Sequence, residues 1–398
     1  PKASIYGLSF DENNHLDHSH YYTKVLNEIL PEYHHTPYHL ADLYQKIVDL
    51  PYRAGKYTLK NNEKYSKIAS VNFNKIRSAI SPSKPGVKLV GIQANSSNEQ
   101  KDLPKETLIN LIELILSSSN YHPVLLTSPA ASDISYCQEV NQEFNNSLIT
   151  IEAEFMALGS VFQNIDYLVS TDTSVKHYAD LCSLPTLEIN YNFIPFFRQG
   201  TTNPSSLILS NNEARYDETD KESISASIIF SSLKMLADHS NTFSIPKNLA
   251  LFAPQIAPDK ISYRCVLGHA DKLIINLEAS RYLIENLNNK TYEIDTTSFS
   301  KLALQEFIDE QKVAVTQTTR LLLHTLRTII QSKDNRNITK EVGKFLCDLL
   351  ESSPNSLCKI ALNLFRVEID QPEQTQSGNN LTFLEEKLAE LKKQNAKL

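Results

Sequence analysis

None of the five cysteines, Cys137, Cys182, Cys265, Cys347 and Cys358, stands in a CxxC pair. Neither a disulfide framework nor a zinc site is therefore indicated, and reduced thiols in a cytoplasmic protein are the simplest expectation. A long basic run is also missing, and the formal charge is −7, which argues against nucleic acid as the main partner. Docking on an anionic membrane would need a local basic patch. No apolar run approaches the ~20 residues that span a bilayer, and Pro1-Lys-Ala-Ser-Ile has no signal-peptide layout. There is no initiator Met, so the expectation is that processing or truncation has removed what preceded Pro1. What the chain does have is 398 residues, 41% of them hydrophobic. That exceeds one ordinary core and predicts two units, or one unit with a large extension.

Residues 1 to about 80 combine a strand at Ser4 to Phe10 with helical stretches around Tyr21 to Leu30 and Leu40 to Leu50. Ser81-Pro-Ser-Lys-Pro-Gly86 then breaks regular structure. Beyond it strands and helices alternate: strand Lys88 to Gln93, helix Lys105 to Leu116, strand Pro123 to Thr127, helix Ile134 to Glu143, strand Leu148 to Ile151, helix Met156 to Gln163, strand Tyr167 to Ser170, helix Val175 to Cys182, strand Thr186 to Ile189. Such alternation implies an α/β fold, a parallel sheet with helices on both faces. After about residue 240 the signals turn mostly helical, at Lys272 to Leu287, Leu302 to Lys333 and Glu341 to Leu350, with few strand candidates. Asp370 to Asn380 reads as a polar linker. Leu381, Leu384, Leu388, Leu391, Asn395 and Leu398 then repeat at three- and four-residue steps. That seam covers about two and a half heptads, and either self-association through a short coiled coil or docking on the same chain would use it.

Ligands of parallel sheets bind outside the carboxyl ends of the strands, and two polar turns fall there. The first, Thr171-Asp172-Thr173-Ser174, opens a helix whose unpaired N–H groups and dipole favour an anion. Thr173 or Ser174 can cap this helix, His177 lies in its first turn, and Asp172 can orient backbone amides or a ribose hydroxyl. Read alone, the same turn is also an ordinary capped helix whose His merely packs. The second, Ala94-Asn-Ser-Ser-Asn-Glu-Gln-Lys101, brings hydroxyl and amide groups and one ammonium to another strand end, where Lys101 can meet a phosphate as a point charge. The His-rich stretches His15 to His20 and His34-His35 lack partners at zinc-ligand spacing. Cys265 and His269 lack an orienting third group.

The order and spacing of these motifs resemble the C-terminal half of glycosyltransferase family 9, the ADP-heptose heptosyltransferases of bacterial lipopolysaccharide assembly. A polar loop followed by Lys-x-x-Pro is matched by Asn95, Ser96 and Lys101-Asp-Leu-Pro104. Asp-[ST]-[GS]-x-x-His-x-Ala is matched by Asp172-Thr-Ser-Val-Lys-His177-Tyr-Ala179, ahead of Leu184-Pro-Thr186. The match spans roughly residues 85 to 210. The resemblance implies a GT-B type fold: a Rossmann-like donor domain at 85–240, a remnant of the acceptor-side N-terminal domain with linker at 1–84, a helical extension at 241–369, and the linker with coiled-coil tail at 370–398.

It further implies that Asn95, Ser96, Lys101, Thr173, Ser174 and His177 hold the diphosphate of an ADP-sugar, that Asp172 organises the loop, and that Met156 lines the adenine pocket. Asp133 stands in for the Glu that meets the ribose. The implied reaction is an inverting transfer of a sugar, heptose by the resemblance, to a glycan such as the lipopolysaccharide core. Helix amides and Lys101 stabilise the departing ADP; no metal or cofactor is expected, and Asp217-Glu-Thr-Asp220 reads as surface rather than a metal motif. The family's Gly-Asp loop, which carries the catalytic base, has no match before residue 80. The catalytic residue is thus unassigned, and the chain is expected to bind nucleotide better than it catalyses. Contact with the inner face of a membrane is a further expectation. Other readings are a non-catalytic nucleotide-sugar-binding scaffold and an unrelated phosphosugar-binding α/β protein.

Overall fold

The computed structural model describes residues 8–10, 16–18, 20–29, 36–48, 63–80, 82–83, 86–93, 95–96, 98–212, 219–239, 241–257, 260–287 and 301–311. They fall into two compact units, one of Pro1–Pro37, Leu43–Leu50 and Asp271–Leu398, the other of Tyr38–Asp42 and Pro51–Ala270.

The first unit opens with a short antiparallel pair, β1 (Leu8–Phe10) and β2 (Leu16–His18). Helix α1 (Tyr21–Lys24) follows, its N-terminus capped by the His20 ring accepting from Tyr22 N, and a π-helical turn, Val25–Ile29, extends it. Buried Tyr22 donates its hydroxyl to Glu285 at 2.5 Å, and Lys46 pairs with the same carboxylate at 3.1 Å. Lys46 lies on α2 (Leu40–Ile47).

The second unit contains α3 (Glu63–Ile80), β3 (Lys88–Gln93), α4 (Lys105–Ser117), β4 (Tyr121–Thr127), α5 (Ala131–Glu143), β5 (Ile149–Glu152), α6 (Leu158–Phe162), β6 (Tyr167–Thr171), α7 (Ser174–Leu181), β7 (Thr186–Asn190), α8 (Phe196–Gln199), β8 (Leu207–Asn211), α9 (Thr219–Ser223), α10 (Ala226–Ala237), β9 (Leu249–Ile256) and β10 (Ile261–Gly268). Its eight strands are ordered β10-β9-β8-β7-β6-β3-β4-β5. From β8 to β5 every pairing is parallel, and β9 and β10 add antiparallel. The fold is thus α/β with a predominantly parallel, Rossmann-like sheet.

Alternate residues along each strand enter different cores. Val90, Ile92, Val169, Leu187 and Leu209 pack against Leu111, Ile112 and Ile115 of α4 and Ile229 and Leu233 of α10. On the other face Leu89, Val124 and Leu168 meet Phe73 of α3, Phe162 of α6 and Ala179 of α7. With both faces covered the strands read as continuous apolar runs, as buried parallel strands do.

Three features depart from the sequence reading. The sheet does not end near residue 240: β9 and β10 carry it to Gly268. Leu249, Ala250, Leu251 and Phe252 are all fully buried, so the segment has no period-two pattern to betray a strand. Pro254 argues against one as well, yet β8 pairs only as far as Phe252, so Pro254 lies where β9 has a neighbour on one side alone. Residues 63–80, assigned to an N-terminal remnant, belong to the sheet unit, because Ala69, Phe73 and Ile80 seat α3 on its core. Finally, β8, α8, α9 and α10, between the last expected strand and residue 240, had no counterpart in that reading. The expected helices at 312–333 and 341–350, the linker at 370–380 and the leucine seam at 381–398 lie outside the described residues, as does Asp217.

Candidate functional site

In the sheet β3, β4 and β5 run outward one way while β6, β7 and β8 run the other, so the order reverses between β3 and β6. The helices after these two strands diverge to opposite faces and open a crevice beyond the carboxyl ends, where doubly wound sheets bind ligands. Both polar turns lie there. A cavity of about 920 Å³ occupies the crevice, lined among others by Asn95, Ser96, Lys101, Asp133, Asp172, Thr173, Ser174 and His177. Met156 is not in its wall and is 70% exposed. Phe155, on the adjoining 3-10 turn Phe155–Ala157, lines it instead, its ring edge-on to Tyr178 at 4.9 Å.

The loop after β3 is built from side chain to backbone bonds. Gln93 Nε2 donates to Asn95 O and Oδ1, both at 3.1 Å. Asn95 Nδ2 in turn donates to Asp133 Oδ1 at 2.9 Å, and Ser128 to Asp133 Oδ2 at 2.6 Å. Asp133 therefore fastens the loops after β3 and β4 together. Asn98 caps the 3-10 turn Glu99–Lys101 through Gln100 N, and Asp102 accepts from Ser96 N at 2.5 Å. Local Asn, Ser and Asp bonds of this kind fix turns without regular structure, and here they aim Lys101 across the crevice.

After β6, Thr173 is the N-cap of α7 but makes no side-chain capping bond; its hydroxyl meets Ser170 at 3.1 Å. The first-turn amides of α7 are thus left for whatever fills the cavity. Asp172 is buried and accepts from Lys101 Nζ at 2.8 Å, Lys176 Nζ at 2.9 Å and Gln199 Nε2 at 2.9 Å. Burial alone would raise its carboxyl, but Lys176 and Lys101 outweigh that and hold it well below the usual carboxylate range. Lys176, fully buried, also donates to Gln199 O at 2.8 Å and pairs with Glu188 at 3.2 Å. Burial opposes its charge; Glu188 and Asp172 overcome this and raise its pKa. Burial raises the Glu188 carboxyl against the pull of Lys176; its oxygens accept from Lys176, Asn190 Nδ2 and Thr201 N, bonds that favour its ionised form. The charge of Lys176, and then burial, depresses His177 to about 3, so its ring is neutral in the cavity wall.

Sequence reasoning missed Phe155, Gln199 and the Lys176–Glu188 pair. Gln199 sits in a stretch that no motif marks. Lys176 follows Asp172 at the four-residue spacing that joins charges on a helix, a signal present in the sequence. Among the described residues, no group of three or more His, Cys, Asp or Glu is placed to hold a metal ion. None of the described helices is long and apolar enough to cross a membrane.

The fold and cavity define a Rossmann-like domain with a polar crevice at its switch point. No family model matches the chain, and no curated protein does. Among solved structures the chain is similar to a glycosyl transferase of family 9 from Veillonella parvula DSM 2008, with 16% identity, TM-score 0.41, covering 51% of this chain and 60% of that one. It is similar to E. coli ADP-heptose lipopolysaccharide heptosyltransferase II, with 13% identity, TM-score 0.41, and 51% and 63% covered. A third similar structure is an E. coli heptosyltransferase with ADP, 14% identical, TM-score 0.35, with 49% and 55% covered. The chain spans less than two thirds of each of these proteins.

Proposed function

We propose that this chain is the donor-binding part of a glycosyltransferase of the heptosyltransferase type, taking an ADP-sugar and delivering the sugar, heptose by the motif resemblance, to a glycan acceptor such as the lipopolysaccharide core. The observation that carries the reading is the meeting of its two motifs: Lys101 of Lys-x-x-Pro and Asp172, which opens the Asp-Thr-Ser-x-x-His motif, pair at 2.8 Å in one cavity at the switch point.

In the reaction an acceptor hydroxyl attacks the anomeric carbon from the face opposite the diphosphate. Its proton passes to a base, the bond from carbon to phosphate oxygen breaks, and ADP departs. Charge grows on the departing diphosphate, where the uncapped amides of α7 need little reorganisation and Lys101, paired with Asp172 before the ligand arrives, supplies the positive charge. Neutral His177 offers a hydrogen bond without competing charge. In this reading Asn95 and Ser96 join Lys101 at the diphosphate, Asp133, bonded to Asn95, takes the ribose, and Phe155 takes the base. No group of this chain is assigned as the catalytic base.

The test is calorimetric titration of the chain with ADP, beside Lys101→Ala and His177→Ala, with UDP as control. Saturable ADP binding that weakens in both variants supports the donor site. A folded chain that binds neither nucleotide overturns the reading.

A further inference from the structure

Two lysines share the Asp172 carboxylate, Lys101 on Oδ2 and Lys176 on Oδ1. Lys101 lines the cavity and keeps 16% of its side chain exposed; Lys176 is fully enclosed and does not reach the cavity wall. We propose that Lys176 is a positioning residue, holding Asp172 in place so that Lys101 can pass from that carboxylate to the phosphates of a ligand. The inference rests on the nucleotide-binding reading above and deepens it.

The geometry separates the roles of the two lysines. An anion arriving beside α7 draws Lys101 away from Asp172, and a buried carboxylate stripped of its only cation would be strongly destabilised. Asp172 avoids this because Lys176 at 2.9 Å and Gln199 Nε2 at 2.9 Å remain. Lys176 cannot follow Lys101, since Glu188 and the Gln199 carbonyl hold its ammonium from behind. Glu188 is itself anchored by Thr201 N at 2.6 Å and Asn190. One residue, Gln199, serves both partners, through its carbonyl to Lys176 and its amide to Asp172. Lys101 and Lys176 thus face Asp172 and Glu188 before the ligand arrives, and transfer of Lys101 leaves the buried remainder hydrogen-bonded. The motif resemblance assigns Lys176 no role; the contacts give it one.

The full chain is titrated with ADP as wild type, as Lys101→Ala, as the charge-conserving pair Lys176→Met with Glu188→Gln, and as the combination of all three substitutions. The paired variant is expected to bind ADP roughly tenfold or more weakly, since one charge-assisted hydrogen bond to Asp172 is gone. Adding Lys101→Ala to it should cost less than in the wild type, because the two lysines act through one carboxylate. Full additivity would make Lys176 a structural residue only and overturn the inference, as would unchanged affinity. Lysine-labelled wild type gives a reading that needs no variant to fold: on ADP addition the Lys101 ammonium signal should move and that of Lys176 stay. The reverse pattern overturns the inference. Failure of the wild type to bind ADP at all is the separate result that overturns the nucleotide reading itself.

Discussion

Lys101 Nζ lies 2.8 Å from Asp172 Oδ2, although 71 positions separate the two residues. The chain closes that gap by running out through β4 and β5 and returning to lay β6 directly against β3, with Gln93 in register with Ser170 at the ends from which the two loops leave. Two polar turns that are unremarkable apart become one charged site because the sheet changes direction between them.

Lys101→Ala should lower ADP affinity roughly ten- to a hundredfold, the range of one or two charge-assisted hydrogen bonds. Stability should change by only about 1 kcal/mol, because Asp172, though buried, keeps Lys176 and Gln199 as partners. Calorimetry and urea denaturation of the same preparation check the two halves. A large loss of stability with unaltered affinity would make the pair a strut rather than a binding group.

Lys176→Met alone should be far more damaging to the fold than Lys101→Ala. It leaves Glu188 fully buried and Asp172 nearly so with one cation fewer between them, a loss of about 3–5 kcal/mol when a buried pair is broken from one side. Adding Glu188→Gln should recover a substantial part, since the leftover charge is then gone. Urea midpoints of the single and paired variants decide it: equal losses would mean that Lys176 contributes packing, not charge.

Each expected element from Lys88 to Ile189 is matched in the structure to within a few residues. Those elements were legible because turn residues separate short apolar strands from helices with a clear apolar stripe. The stretch from Leu249 to Gly268 was not, because Leu249–Phe252 is buried on every side and Pro254 masks the strand. The cavity wall followed the same division. Residues in local turns, Asn95, Lys101, Asp172 and His177, were readable from their place at strand ends. Gln199 and Glu188 reach the site only through tertiary packing, and nothing in their neighbourhoods marks them. Met156 and Phe155 are adjacent in sequence, and only the orientation of one 3-10 turn decides that Phe155 faces the cavity.

The boundary of the sheet unit can be tested by truncation. A chain ending at residue 240 loses β9 and leaves β8 an open apolar edge, with fully buried Leu209 and Ile208 bared. It also removes Phe252, which packs on Phe196 at 4.4 Å, and such edges invite aggregation. A chain of residues 36–270 keeps both antiparallel strands and the bond from Ile261 N to Asp42 at 2.9 Å. Expression of both should give a soluble, cooperatively melting protein only from the longer one. A soluble, folded shorter chain would show that the hairpin is an accessory to the sheet.

Buried His39 and half-buried His177 set an acid limit on stability, and its sign follows from their pKa values. His39 is held at about 4, first by burial; its Nε2–H faces the Gly200 carbonyl at 3.2 Å while Nδ1 accepts from Ala41 N, so the neutral ring is already satisfied. His177 is held at about 3 by Lys176 and burial, against the pull of Asp172. In the unfolded chain both rings protonate near pH 6.5. Between about pH 6.5 and 4 the unfolded state therefore binds more protons than the folded one, and stability falls as pH falls, by at most about 1.4 kcal/mol per pH unit for each ring. Asp172, held low, acts in the same sense only below the ordinary carboxylate range. Asp102, Asp180 and Glu188, raised mainly by burial, act in the opposite sense, so the histidine share is read as the difference between wild type and His39→Gln over the window from pH 6.5 to 5. Urea midpoints should decline across it, less steeply in His39→Gln, and imidazole nitrogen signals of His39 and His177 should remain those of neutral rings at pH 5. A ring that titrates near pH 6.5 in the folded chain would remove its share of that slope and, for His177, would mean that the Lys176 charge does not reach the cavity wall.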